Sequence, residues 1–302
     1  MMKFKTLLQR EWMQHQIGWT VVLTLPAALA LLLVLFGHLP WEKMMHEAEM
    51  PGRASATLLT AMVIMALMGL TAALAWIAAG LQVSGLARRD QQDRSIEFWL
   101  SLPTSHLQSL GATLLMHLLL VPAAAVLAGT IGGWLVAMVA SSQAFGVGSL
   151  ASMQWGSLLL WSATLSLGFM IELMLFTLWM TPLLLIVMVA SAWFKRWGIP
   201  VATAAIAVPG LVLDKLYGST IVWDVLQRLL LSAISSFGPP GHNTLNIGPN
   251  TDLAELLIDT PGRMWTTTLN ALAALASPDF AAVVLVSAAC VALLVLRRQR
   301  GA

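Results

Sequence analysis

The sequence predicts an all-α, polytopic membrane protein with six transmembrane helices, and three observations carry that expectation. Of 302 residues, 58% are hydrophobic and only 10% charged, and the mean hydropathy is +0.81. Several apolar runs reach the roughly 20 residues that a helix needs to cross a bilayer. The few charges collect between those runs, so no soluble domain of useful size remains, and 1–302 reads as a single transmembrane domain. The net charge of +2 is close to neutral, and a basic pI in such a chain gives no reason to expect a nucleic-acid partner. The one cysteine, Cys290, lies in an apolar run and excludes an intrachain disulfide.

Taken in order, residues 1–16 read as an amphipathic N-terminal helix lying on the membrane surface. Phe4, Leu7, Leu8 and Trp12 form its apolar side, against Lys3, Lys5, Arg10 and Glu11. The first span, 17–37, lacks a small-residue cleavage pattern and is expected to be retained, with a kink at Pro26. The second, 55–87, is longer than a bilayer requires. The third, 106–139, holds Gly129, Gly132 and Gly133, which permit close helix packing. The fourth, 155–194, ends at Lys195, Arg196 and Trp197. A short fifth, 199–213, contains Pro200 and Pro209-Gly210 and is expected to be broken or strongly tilted. Residues 214–277 are too polar to cross, yet hold two helix-like pieces, 221–237 and 252–276, expected as re-entrant or interfacial outer helices. Ser277-Pro278 then supplies an N-cap and a first-turn proline for the last span, 279–296.

Lysine and arginine set the orientation. One side of a six-span chain holds Lys3, Lys5, Arg10, Arg88, Arg89, Arg94, Lys195, Arg196, Arg297, Arg298 and Arg300. The other holds only Lys43, Arg53, Lys215, Arg228 and Arg263. The positive-inside rule places both termini in the cytoplasm.

The same side holds the densest charge in the chain, the connector 88–105. Ile96, Trp99, Leu100 and Pro103 recur at helical spacing, with Asp93, Arg94 and Glu97 on the opposite side. Pro103 stops that short amphipathic helix, and Ser105 with Gln108 reads as a capping box for the next. A charged helix bearing Phe98 and Trp99 at the cytoplasmic surface has the composition of a docking element.

No phosphate-loop, H-E-x-x-H or G-x-S-x-G motif occurs, and the six histidines lack ligand spacing. The expectation is therefore a chain with no catalytic residues, no metal and no cofactor of its own. The exception inside the membrane is Glu172. A carboxylate there costs on the order of 3 kcal/mol or more. It is either protonated or hydrogen-bonded to a serine or threonine of a neighbouring helix, or it serves gating or substrate passage.

An amphipathic N-terminal helix, six spans, D-R-S-I-E-F-W-L-S-L-P at 93–103 and two outer helices before the last span together resemble the ABC-2-type transporter permeases. That phrase acts as the sequence signature; the topology covers nearly the whole chain. The resemblance implies a bacterial inner-membrane exporter subunit, working as a homodimer or as a pair of related permeases with two copies of a separate ABC ATP-binding subunit that holds ATP and Mg. It makes Asp93, Arg94, Ile96, Glu97, Phe98, Trp99, Leu100, Leu102 and Pro103 the coupling contact to the ATPase, with Arg10, Glu11 and Trp12 a second contact. Cargo of hydrophobic or amphipathic character fits the apolar composition, and membrane lipids surround the chain. The alternatives are a proton-coupled secondary transporter using Glu172, and a scaffold that docks partners without transport.

Overall fold

The structure, a computed structural model, describes residues 2–37, 56–92, 106–238 and 253–300. Every element among them is helical. Helix α1 (Met2–Phe36) is unbroken, so the separate surface helix expected over 1–16 is instead the first part of one rod. Leu7, Glu11 and Trp19, four and eight residues apart in sequence, form one buried stripe that continues from the charged turns into the apolar ones. Nothing in that stretch breaks the direction.

Helix α2 (Ala56–Gln92) extends five residues into the segment expected as the connector. Helix α3 (His106–Leu115) passes through a π-helical turn, Met116–Leu120, into α4 (Val121–Phe145). Pro122 sits just beyond that turn. It has no N–H to donate back and its ring crowds the preceding carbonyls, and the wider π turn absorbs both.

Helix α5 (Trp155–Phe194) has the bounds the apolar run predicts. The chain then reverses at Lys195, whose φ of 53° lies in the region that favours glycine. Holding a side-chain-bearing residue there costs on the order of 1–3 kcal/mol. Gly198 packs directly onto Ser191, and helix α6 (Gly198–Tyr217) runs back along α5. The break expected at Pro209-Gly210 is absent: α6 is continuous and ends at Gly218 (φ 61°), whose N–H donates to the Asp214 carbonyl at 3.1 Å. Pro209 removes one helical hydrogen bond, and the indole of Trp223 lies against the Cβ position of Gly210 on the following helix, α7 (Ile221–Ile234).

Helices α8 (Leu253–Ala273) and α9 (Pro278–Arg300) complete the chain. At the start of α9 the Phe280 N–H donates to Ser277 Oγ at 3.2 Å, the predicted cap. Among the described residues, five helical segments are long and apolar enough to cross a membrane: Phe4–Phe36, Ala56–Leu86, Leu107–Phe145, Trp155–Tyr217 and Pro278–Gln299. The fourth comprises α5 and α6 together.

Packing centres on α2, α4 and α5. Gly129 and Gly133 put the α4 backbone against that of α2: a Cβ on either would fall 2.7 Å from the Cα of Met68 or of Ile64. Gly132 meets Ala27 of α1. Around this seam Ile64, Met68, Val126, Leu158 and Trp161 belong to one buried cluster. Hydroxyls and indoles tie the three helices together, through Thr60 to Ser141 at 3.1 Å, Thr130 to Ser166 at 2.8 Å, and the Trp76 indole N–H donating to Thr177 Oγ1 at 3.1 Å. At one end of the bundle Leu86, Leu110, Met188, Ala192, Cys290 and Leu294 meet. The C-terminal ends of α2, α5 and α9 and the start of α3 therefore lie together.

Replacing Gly133 by leucine forces the α2–α4 seam apart. Overpacking of this kind costs about 1–3 kcal/mol, read as a lowered midpoint of unfolding in detergent, whereas Gly80→Leu, at an open position, is expected to leave it unchanged.

Candidate functional site

The sequence singles out three places: the connector, the N-terminal contact and Glu172. The nine coupling residues named between Asp93 and Pro103, like the whole of 93–105, lie outside the described residues. What is described is their attachment. Leu86 near the end of α2 and Leu110 near the start of α3 belong to one buried cluster, so the segment leaves and re-enters the bundle at the same end.

Arg10, Glu11 and Trp12 do not form an outward-facing row. Glu11 is fully buried and Trp12 half-buried, because the stripe through Leu7 and Trp19 turns this face towards α3 and the π turn. Arg10 donates to the Glu11 carboxylate from the next position. Across the interface, Glu11 Oε2 is 3.4 Å from Nε2 of His117, itself fully buried in the π turn. The His117 ring meets His15 edge-on at 5.1 Å and Trp19 at 5.6 Å between centroids. His117 Nδ1 and Trp19 Nε1 are buried without a hydrogen-bond partner. A buried carboxyl group beside an arginine and 3.4 Å from an imidazole joins the first helix to the π turn through a polar contact as well as packing. These side chains do not close into a metal site, and no such cluster occurs among the described residues.

The Glu11–His117 contact is not visible in the sequence pattern, where the six histidines show only a lack of ligand spacing. The available signal was Pro122, five residues after His117. A proline inside a long apolar run often accompanies a local widening of the helix, and such turns recur where side chains have special contacts.

Glu172 lies in the interior of α5, 4% exposed. Helix α8 covers it. Gly168 gives room to the Met264 side chain, and one turn further along both helices Thr268 Oγ1 donates to Glu172 Oε1 at 3.2 Å. The same hydroxyl also reaches the Met264 carbonyl at 2.9 Å. Of the two roles open to Glu172 in the sequence, the hydrogen bond to a threonine of a neighbouring helix is the one with geometry behind it. The contact docks α8 beside α5, below Phe237, whose ring packs on Phe169 and Phe176 at 5.6 and 5.4 Å between centroids.

Fold and composition together define the class, a multi-pass α-helical membrane protein. Comparison with family models, with characterised proteins and with solved structures returned no match to the chain.

Thr268→Val leaves the Glu172 carboxyl buried without its donor, while Thr268→Ser keeps the bond. The valine variant is expected to lose about 1–3 kcal/mol in reversible unfolding. A double-mutant cycle with Glu172→Leu, which removes the acceptor, is expected to show a coupling of about 1 kcal/mol, and additivity would place the two side chains apart.

Proposed function

We propose that this chain is the membrane-spanning permease subunit of an ATP-driven exporter of the ABC-2 type, with α5 and α6 as separate spans, giving six, and with energy supplied by a separate ATP-binding subunit. One observation carries the reading. The D-R-S-I-E-F-W-L-S-L-P phrase is strung between the ends of α2 and α3, and those ends belong to the same face of the bundle as Lys195, Arg196, Arg297 and Arg298. By the positive-inside rule that face is cytoplasmic, where a nucleotide-driven partner works. A 20-residue α6 is about 30 Å long, enough for a crossing, and its antiparallel return along α5 supports the sixth span.

In this reading Phe98, Trp99 and Leu100 are the apolar centre of the ATPase contact and Asp93, Arg94 and Glu97 its charged rim. The chain works as a homodimer with two ATPase copies, in a bacterial inner membrane, and moves a hydrophobic or amphipathic cargo outwards. Glu11 and Arg10 belong to an internal joint in this account, which transmits force from α1 to α3 and leaves the ATPase contact to the connector. The second reading, proton-coupled transport through Glu172, draws on a buried carboxylate. Its hydrogen bond to Thr268 favours helix docking as the role of that carboxylate.

The charge reversal Arg94→Glu with Glu97→Arg is expected to abolish co-purification of a phosphate-loop ATPase from native membranes while the permease still folds and inserts. An unchanged yield of the complex defeats the docking role. In vesicles, transport is expected to require ATP and to survive collapse of the proton gradient; the opposite dependence selects the Glu172 mechanism.

A further inference from the structure

A cavity of about 500 Å³ opens between α5, α6, α7 and α9. It has the size of a small-ligand site. Its walls are apolar, built from Trp179 and Ile186 of α5, Ile206 of α6, Val225 and Leu229 of α7 and Val286 of α9. Two charged side chains also line it, Arg228 of α7 and Asp279 of α9. They form no ion pair with each other. Both are exposed, so each is open to a ligand.

Asp279 fixes one end of the cavity along the last helix. Asp279 is in the first turn of α9, at the opposite end of that helix from Arg297 and Arg298. Val286, seven residues on, is about 10 Å deeper along the axis. A cation and an anion lining an apolar slot, the anion where a membrane helix begins, match the chemistry of a phospholipid. The charged head stays at the boundary and the chain runs inward.

We propose that this cavity is a binding site for one zwitterionic phospholipid of the leaflet opposite the basic face, its phosphate on Arg228, its amine on Asp279 and an acyl chain along Trp179, Ile186, Ile206 and Val286. A headgroup with both charges satisfies both side chains at once through charge-assisted hydrogen bonds. A purely anionic headgroup meets Arg228 but is repelled by Asp279. Val225 and Val286, 62% and 44% exposed, leave the slot open towards lipid, so the bilayer itself supplies the occupant. The lipid ties α7, the helix that follows the α6 return, to α9. The site does not depend on coupling to an ATPase.

The test is lipid retention by the full-length chain in a mild detergent, measured by native mass spectrometry with phosphatidylethanolamine and phosphatidylglycerol of matched chains. The expected result is one tightly retained lipid, with phosphatidylethanolamine held about tenfold better. Arg228→Gln and Asp279→Asn are each expected to weaken that retention by about tenfold and to erase the preference. Val225→Trp fills the slot from an exposed position and is expected to abolish retention. All three changes are at exposed positions, and an unchanged unfolding midpoint in lipid-free detergent identifies folded variants. Equal retention of both lipids by the unaltered chain overturns the proposal, as does unaltered phosphatidylethanolamine binding in the folded variants.

Discussion

The close approach of α2 and α4 is the constraint on which the rest of the molecule depends. Between helices in lipid the hydrophobic effect offers little net attraction, because the surrounding chains are as apolar as leucine. Association must come from dispersion contacts and from hydrogen bonds, and both require backbones near one another. Gly129 and Gly133 supply that proximity, and Ile64 and Met68 fill the surface they leave. With the two backbones in contact, Thr60 and Ser141 come within bonding distance, and a groove forms for Leu158 and Trp161 of α5. Helix α1 joins through the neighbouring glycine, Gly132. Helices α8 and α9 are attached to α5 in turn, by Thr268 on Glu172 and by Phe280 and Val283 around Trp179.

The layout also explains which helices keep their apolar faces outward. In α1 and α9 only 17% of the most apolar window is buried inside the chain, against 56% in α2. Ile17, Leu25, Leu29, Leu32 and Leu33 of α1 and Leu285 and Leu293 of α9 face away from the bundle. In water such faces would drive aggregation; in a bilayer they are ordinary lipid contacts.

Much of this was legible from local pattern. Apolar runs located the long helices, and 155–194 fell on the bounds of α5 because Gln154 and the Lys195–Trp197 turn mark its limits. The glycine triplet and the Ser277 cap were readable because their chemistry acts over a few residues. The continuity of α1 was not, since the residue that turns Glu11 inward, His117, lies 106 positions away in sequence. Charge at Lys3, Lys5 and Arg10 looked like surface chemistry when periodicity alone was available. Similarly, Pro209-Gly210 has the form of a helix breaker, and only the Trp223 indole packed on Gly210 shows why the helix carries on past it. At Glu172 the type of partner was foreseen, a hydroxyl from a neighbouring helix, while Thr268 in particular depended on how α8 docks. The connector's function rests on sequence alone, in the phrase from Asp93 to Pro103.

The π turn at Met116–Leu120 has a consequence for how this chain can change over generations. It holds one residue more than an α-helix would over the same rise, and each residue turns a helix by about 100°. Upstream, Leu110 faces the cluster of helix ends; downstream, Gly129 and Gly133 face α2. Both orientations hold only because the extra residue is present. Loss of a single codon here would rotate one half of the rod against the other and turn the glycines from α2 towards lipid, so length in this stretch is under stronger constraint than the identity of its apolar side chains.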